Sequence, residues 1–177
     1  MMSTNEIAMP LQSAVLEYFA GERQEALLIL GGSAILTALA AWLWIATRSS
    51  FATAFAATVL ATAALLSVTA GSLLVRDKGL VAAIAQEIQS THQPAVQIER
   101  ERMRVVVSKY RYYRYAAAVL GAIGLLGLML SDRAWVHGVA AGLLLLVVAQ
   151  VLIDNYSQGR AGTYYKQLSQ TAVPTLQ

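Results

Sequence analysis

Few residues in this chain are equipped for chemistry, and their spacing decides what they can do. Glu99 and Glu101, with Glu87 and Asp77 nearby, offer paired carboxylates of the kind that serve acid–base catalysis. Their neighbours argue for a plainer role. Glu99–Arg102 and Glu101–Arg104 are i, i+3 pairs, so on a helix each acid is set to neutralise an arginine. No carboxylate stands at helical spacing from a histidine, so a helix-borne di-metal site is not expected. His92 falls in a predicted turn and His137 at the far end of the last apolar block, on opposite sides of a membrane, so they are not expected to share a metal. The chain has no cysteine, which removes thiolate chemistry, disulfides and Cys-ligated metals. It also has no Walker A, GxSxG, HExxH or CxxC motif. No catalytic, cofactor-binding or metal-binding residue is therefore assigned, no cofactor is expected, and the chain is not expected to be an enzyme. Asp154, with Gln150 one turn before it, is the most suggestive polar residue, because an ionisable group at a membrane is a functional hypothesis by default. It closes an apolar run, and the expectation is a structural ion pair of Asp154 with Arg111 or Arg114.

The charge is concentrated in one stretch, Gln97–Tyr115, which holds Arg100, Arg102, Arg104, Lys109, Arg111 and Arg114 of the 13 Lys and Arg residues. Interleaved Arg and Tyr are suited to stacking and phosphate contacts on nucleic acid. They suit anionic lipid equally, at about 1 kcal/mol per basic residue near the surface. They also make an ordinary interfacial anchor, with Tyr at headgroup level and Arg reaching outward. The anchor is the preferred reading. The run continues without a turn signal into Ala116–Leu130, which places it against a membrane and leaves nucleic acid out as a partner. Val107, Tyr110 and Arg114 match the loose cholesterol pattern as well. Any contact with a partner or anionic lipid is expected at Arg100, Arg104, Lys109, Arg111 and Arg114.

The elements that must position these residues are four apolar blocks. The 177 residues are 57% hydrophobic and 13% charged, with mean hydropathy +0.55, against about 25% charged in soluble domains. Ala26–Ala46, Phe51–Val75, Tyr112–Leu130 and Ala134–Ile153 each approach the roughly 20 residues needed to cross a bilayer. The third is the weakest, since Tyr112, Tyr113 and Tyr115 complete it. The expected fold is an all-α membrane protein, a four-transmembrane-helix bundle. An amphipathic segment over 10–20 precedes the first span, with a break at Ala20-Gly21. A cytoplasmic helical hairpin over 76–114 turns at Thr91–Pro94, and its arms are zipped by Leu80, Ile84 and Ile88 against Met103, Val106 and Tyr110. A tail over 154–177 carries a short helix, with fraying from Ser169. Span two is rich in small and hydroxyl residues, and Gly121, Gly124, Gly138 and Gly142 are expected at helix-packing faces.

With four spans, both termini and the central segment share a side. That side holds every Lys and Arg except Arg48 and Arg133. The positive-inside rule then puts the termini in the cytoplasm. The chain resembles a group of small four-span bacterial inner-membrane proteins without an assigned activity. The resemblance rests on Glu99/Glu101, Arg102-Met103 and Tyr110 after span two, and on Asp154, Tyr156, Arg160 and Tyr164 after span four. It implies a bacterial inner-membrane location and a structural pairing of the Arg102-Met103 helix with the Asp154–Tyr164 tail, and no activity. The expected function is that of a non-catalytic interaction protein (accessory, regulatory or immunity-type), with membrane lipids and a second copy or another membrane protein as partners. The alternative is a small oligomeric transporter or channel along the Thr-rich face of span two.

Overall fold

The apolar blocks are the middles of much longer helices. A computed structural model describes residues 4–90 and 92–172. They form four helices: α1 (Thr4–Thr47), α2 (Ser50–Ser90), α3 (His92–Leu130) and α4 (Ala134–Ala172). At 39 to 44 residues each is about 60 Å long, roughly twice the hydrocarbon thickness. All four are long and apolar enough to span a membrane, and the third has the lowest mean hydropathy, 1.6 against 2.0 to 2.4 for the others. Short connections force antiparallel neighbours. After Thr47, Arg48 takes a left-handed φ of 49° and its N–H bonds the Trp44 carbonyl at 2.9 Å, a helix-terminating geometry. Ser49 then caps α2 by accepting the Ala52 N–H at 3.1 Å. The other tight end, 131–133, is closed by His137, whose Nε2 donates to the Ser131 carbonyl at 2.5 Å.

In the apolar half, α4 is the pivot. An added Cβ on Gly138 would run into the Phe51 carbonyl oxygen, and one on Gly142 would sit 2.8 Å from Thr58. These glycines let α4 lie directly on α2. Gly124 and Gly127 do the same for α3 against Leu144 and Ala140, and Gly121 faces Val147 at 3.6 Å. Outward-facing Leu28, Ile35, Val68 and Met129 are exposed, as a lipid-facing surface requires.

The polar half corrects the expected hairpin. The buried stripe on α3 is the expected one, with Glu99, Met103, Tyr110 and Ala117 buried, although Tyr113 is exposed. Its partners include the expected Leu80 and Ile84 of α2 and extend well beyond them. Met103 and Tyr110 pack in one cluster with Val15, Tyr18 and Phe19 of α1 and Ala161, Tyr164 and Leu168 of α4, while α2 adds Ile84 and Leu80. The contacts between α2 and α3 are the sparsest of the neighbouring pairs. Four helices that continue past the membrane together bury more apolar face than two arms zipped alone, so residues 76–114 are half of a four-helix bundle rather than a separate hairpin. For the same reason the segment at 10–20 is the start of α1, with no break at Ala20-Gly21, and the tail is the end of α4, helical through Ala172. The expected turn falls at the α2–α3 junction. Thr91 and the side chains of Ile88 and His92 lie outside the described residues, as do residues 173–177.

Candidate functional site

Where the apolar half meets the polar half, ionisable side chains from all four helices turn inward. On α3, Arg102 forks onto Glu99, with Nε to Oε2 at 2.7 Å and Nη2 to Oε1 at 2.6 Å. The Tyr164 hydroxyl of α4 donates to the same Oε1 at 3.1 Å. Glu99 is thereby fully partnered although only 4% exposed, the condition for burying a carboxylate at tolerable cost. The Arg102 guanidinium also sits 5.7 Å from the centroid of the Phe19 ring. Tyr164 stacks on Tyr18 of α1, centroids 4.7 Å apart and planes within 15°. The Tyr18 hydroxyl donates to Glu22 at 2.7 Å, and Glu22 meets Arg76 of α2 at 3.4 Å. Arg76 also binds Asp77. The charges thus form a relay of contacts around the bundle.

A second tie joins α1 to α4. Glu25 accepts hydrogen bonds from Ser157 Oγ and Arg160 Nη2, and the Arg160 guanidinium lies 5.5 Å from the Tyr156 centroid. Arg160 reaches Glu25 by crossing Gly21, where an added Cβ would be 2.6 Å from Arg160 Cδ. This close approach is why a glycine stands in the middle of α1.

Between these ties lies a cavity of about 490 Å³ bordered by all four helices. Its polar wall includes Glu22, Glu25, Arg76, Arg102, Lys109, Asp154 and Arg160, and its apolar wall includes Ile29, Leu65, Leu66, Leu73 and Ile153. A groove of about 730 Å³ between α1 and α4 lies on the other side of Arg160. Among the described residues no group of three or more His, Asp and Glu side chains is arranged to hold a metal ion.

The expected site residues divide between the two faces of α3. Arg104 is exposed and bonds Glu101 at 2.5 Å. Lys109, Arg111 and Arg114 are exposed, Arg100 is half-buried, and none of these four forms a salt bridge among the described residues. The ion pair expected between Asp154 and Arg111 or Arg114 is not formed. Asp154 faces into the bundle, 7% exposed, whereas both arginines point away from it. Its Oδ1 instead accepts from Gln150 Nε2 at 2.7 Å, and its Oδ2 has no partner among the described residues. Glu22 and Glu25 are site residues not singled out from the sequence. The available signal was the spacing of Tyr18, Glu22 and Glu25 at i, i+4 and i+7, which puts them on one face of a helix. Comparison with known protein families, curated proteins and solved structures finds no match to this chain.

Proposed function

We propose that the protein is a non-catalytic, multi-pass interaction protein of the bacterial inner membrane, with both termini in the cytoplasm. It holds a partner membrane protein, or a second copy of itself, against the outer face of α3. The observation that carries this reading is the division of α3. Its inner face is consumed by the Met103–Tyr164 cluster, while Arg111 and Arg114 project outward among exposed Tyr112 and Tyr115 without an ionic partner among the described residues. Arginine and tyrosine are enriched in the buried centres of protein interfaces, so the residues that anchor α3 at the headgroup level also suit a docking surface. Against the channel reading, the hydroxyls of Thr58 and Thr69 on α2 each donate to a carbonyl of their own helix at 2.9 Å, and that of Thr53 donates to the carbonyl of the capping Ser49 at 3.0 Å. Their donors are thereby taken up locally, which speaks for a packing role.

The test is purification of tagged protein in mild detergent, with mass measurement and identification of what comes with it. The wild type is expected to elute as an oligomer or with one stoichiometric membrane partner. The Arg104→Glu/Arg111→Glu/Arg114→Glu variant is expected to elute alone. Unchanged association after that reversal, or a wild-type monomer with no companion, would remove the proposal.

A further inference from the structure

The cavity at the boundary between the two halves has two charges that nothing in the chain neutralises. Seven charged side chains border it, and five have ion-pair partners, although Nε and Nη1 of Arg160 are buried without a hydrogen-bond partner of their own among the described residues. Glu22 is held by Arg76, Glu25 by Arg160, and Arg102 by Glu99. Lys109 and Asp154 remain. Both border the cavity, and neither forms a salt bridge with the other or with any described residue. Asp154 is the more demanding of the two. It is 7% exposed, Gln150 supplies a donor to one oxygen only, and Oδ2 is left without a partner. A buried carboxylate oxygen in that state costs free energy until a donor reaches it. The groups bordering the cavity acquire opposite characters along its length. Ile29, Leu65, Leu66 and Ile153 come from the apolar blocks. Lys109 and Asp154 stand within a few residues of where those blocks end. Sparse contact between α2 and α3 leaves the side bearing Lys109, Arg76 and Tyr113 the least covered by neighbouring helices.

We propose that this cavity binds one zwitterionic aminophospholipid, its phosphate against Lys109 and its primary ammonium against Asp154, with the acyl chains along the apolar wall. A zwitterion is the one headgroup class that satisfies an unpaired cation and an unpaired anion together. The ammonium supplies the N–H donors that Oδ2 lacks, and charge-assisted bonds of this type are the stronger ones. The apolar wall selects a lipid over the free headgroup. The proposal is independent of the outer arginine face, since Arg104, Arg111 and Arg114 do not border the cavity.

The experiment is native mass spectrometry of the full chain in detergent, titrated with phosphatidylethanolamine, phosphatidylcholine, phosphatidylglycerol or soluble phosphoethanolamine. Phosphatidylethanolamine is expected to bind about tenfold more tightly than phosphatidylcholine, whose ammonium has no N–H, and than phosphatidylglycerol, which has no cation. Asp154→Asn should reduce that preference to near unity. Lys109→Gln, at an exposed position that makes no fold contact by ion pairing, should weaken phosphatidylethanolamine and phosphatidylglycerol alike by about fivefold. Equal binding of the three lipids to the wild type would overturn the proposal, and that comparison stands even if Asp154→Asn does not accumulate. An undiminished preference in Asp154→Asn, or unaltered binding in Lys109→Gln, would do the same. Saturation by soluble phosphoethanolamine at the same concentration would overturn the assignment to a lipid.

Discussion

Glu99 is the residue on which the polar half turns, because Arg102 and Tyr164 both bind it from within the cluster. The two ligands are not equivalent. Tyr164→Phe removes one hydroxyl from a carboxylate that keeps a forked arginine, and it preserves the stack on Tyr18. It should cost about 1 kcal/mol. Glu99→Ala strands a guanidinium and a buried hydroxyl together, and should cost about 3 kcal/mol. Equilibrium unfolding in mixed detergent would rank them, and a Tyr164→Phe loss equal to that of Glu99→Ala would refute the shared-ligand account. The Glu99–Arg102 and Glu101–Arg104 pairs were readable from spacing alone, because an i, i+3 offset on a helix is a local distance. Their burial was not. Glu99 is shielded and Glu101 exposed, a difference of two residues that only the rotation of α3 against α1 and α4 decides.

At the scale of the helices, small residues set how closely two backbones approach. Gly138 meets the carbonyl of Phe51, which cannot move without breaking α2, whereas Gly31 and Gly71 have open space around them. Gly138→Ala should therefore destabilise by about 3 kcal/mol, and Gly31→Ala should be neutral or stabilise by roughly 0.5 kcal/mol through reduced backbone freedom. Comparable unfolding midpoints for the two variants would refute this contrast. The start of α1 gives a second test. Val15 is fully buried in the cluster drawn from all four helices, so Val15→Asp should abolish a monodisperse elution profile, whereas an amphipathic helix lying on a membrane surface would tolerate it. The 3–4 spacing of apolar residues displayed the inner face of α3 in the sequence, yet it could not name the partner. Any amphipathic stripe of matching length satisfies that pattern, and α1, α2 and α4 all carry one.

For the molecule as a whole, the asymmetry of charge is the strongest handle. A chain without cysteine permits single-cysteine mapping with an impermeant maleimide. Asp132→Cys should label in spheroplasts, and Lys166→Cys only after lysis. The reverse pattern would invert the orientation inferred from the basic residues. Two things were determined by the sequence alone. One is the presence of four membrane-length helices joined by two tight ends, because crossing hydrocarbon is a demand on each segment separately, met by run length and composition. The other is the segregation of nearly all positive charge to the same ends of those helices. The tertiary structure decided the rest. It assembled the helix extensions into one four-helix half, turned Asp154 toward Gln150 and away from Arg111 and Arg114, and enclosed a cavity with Lys109 and Asp154 unpaired at its border. These depend on the rotations and relative heights of four long helices settled together, and no local pattern in one helix contains them.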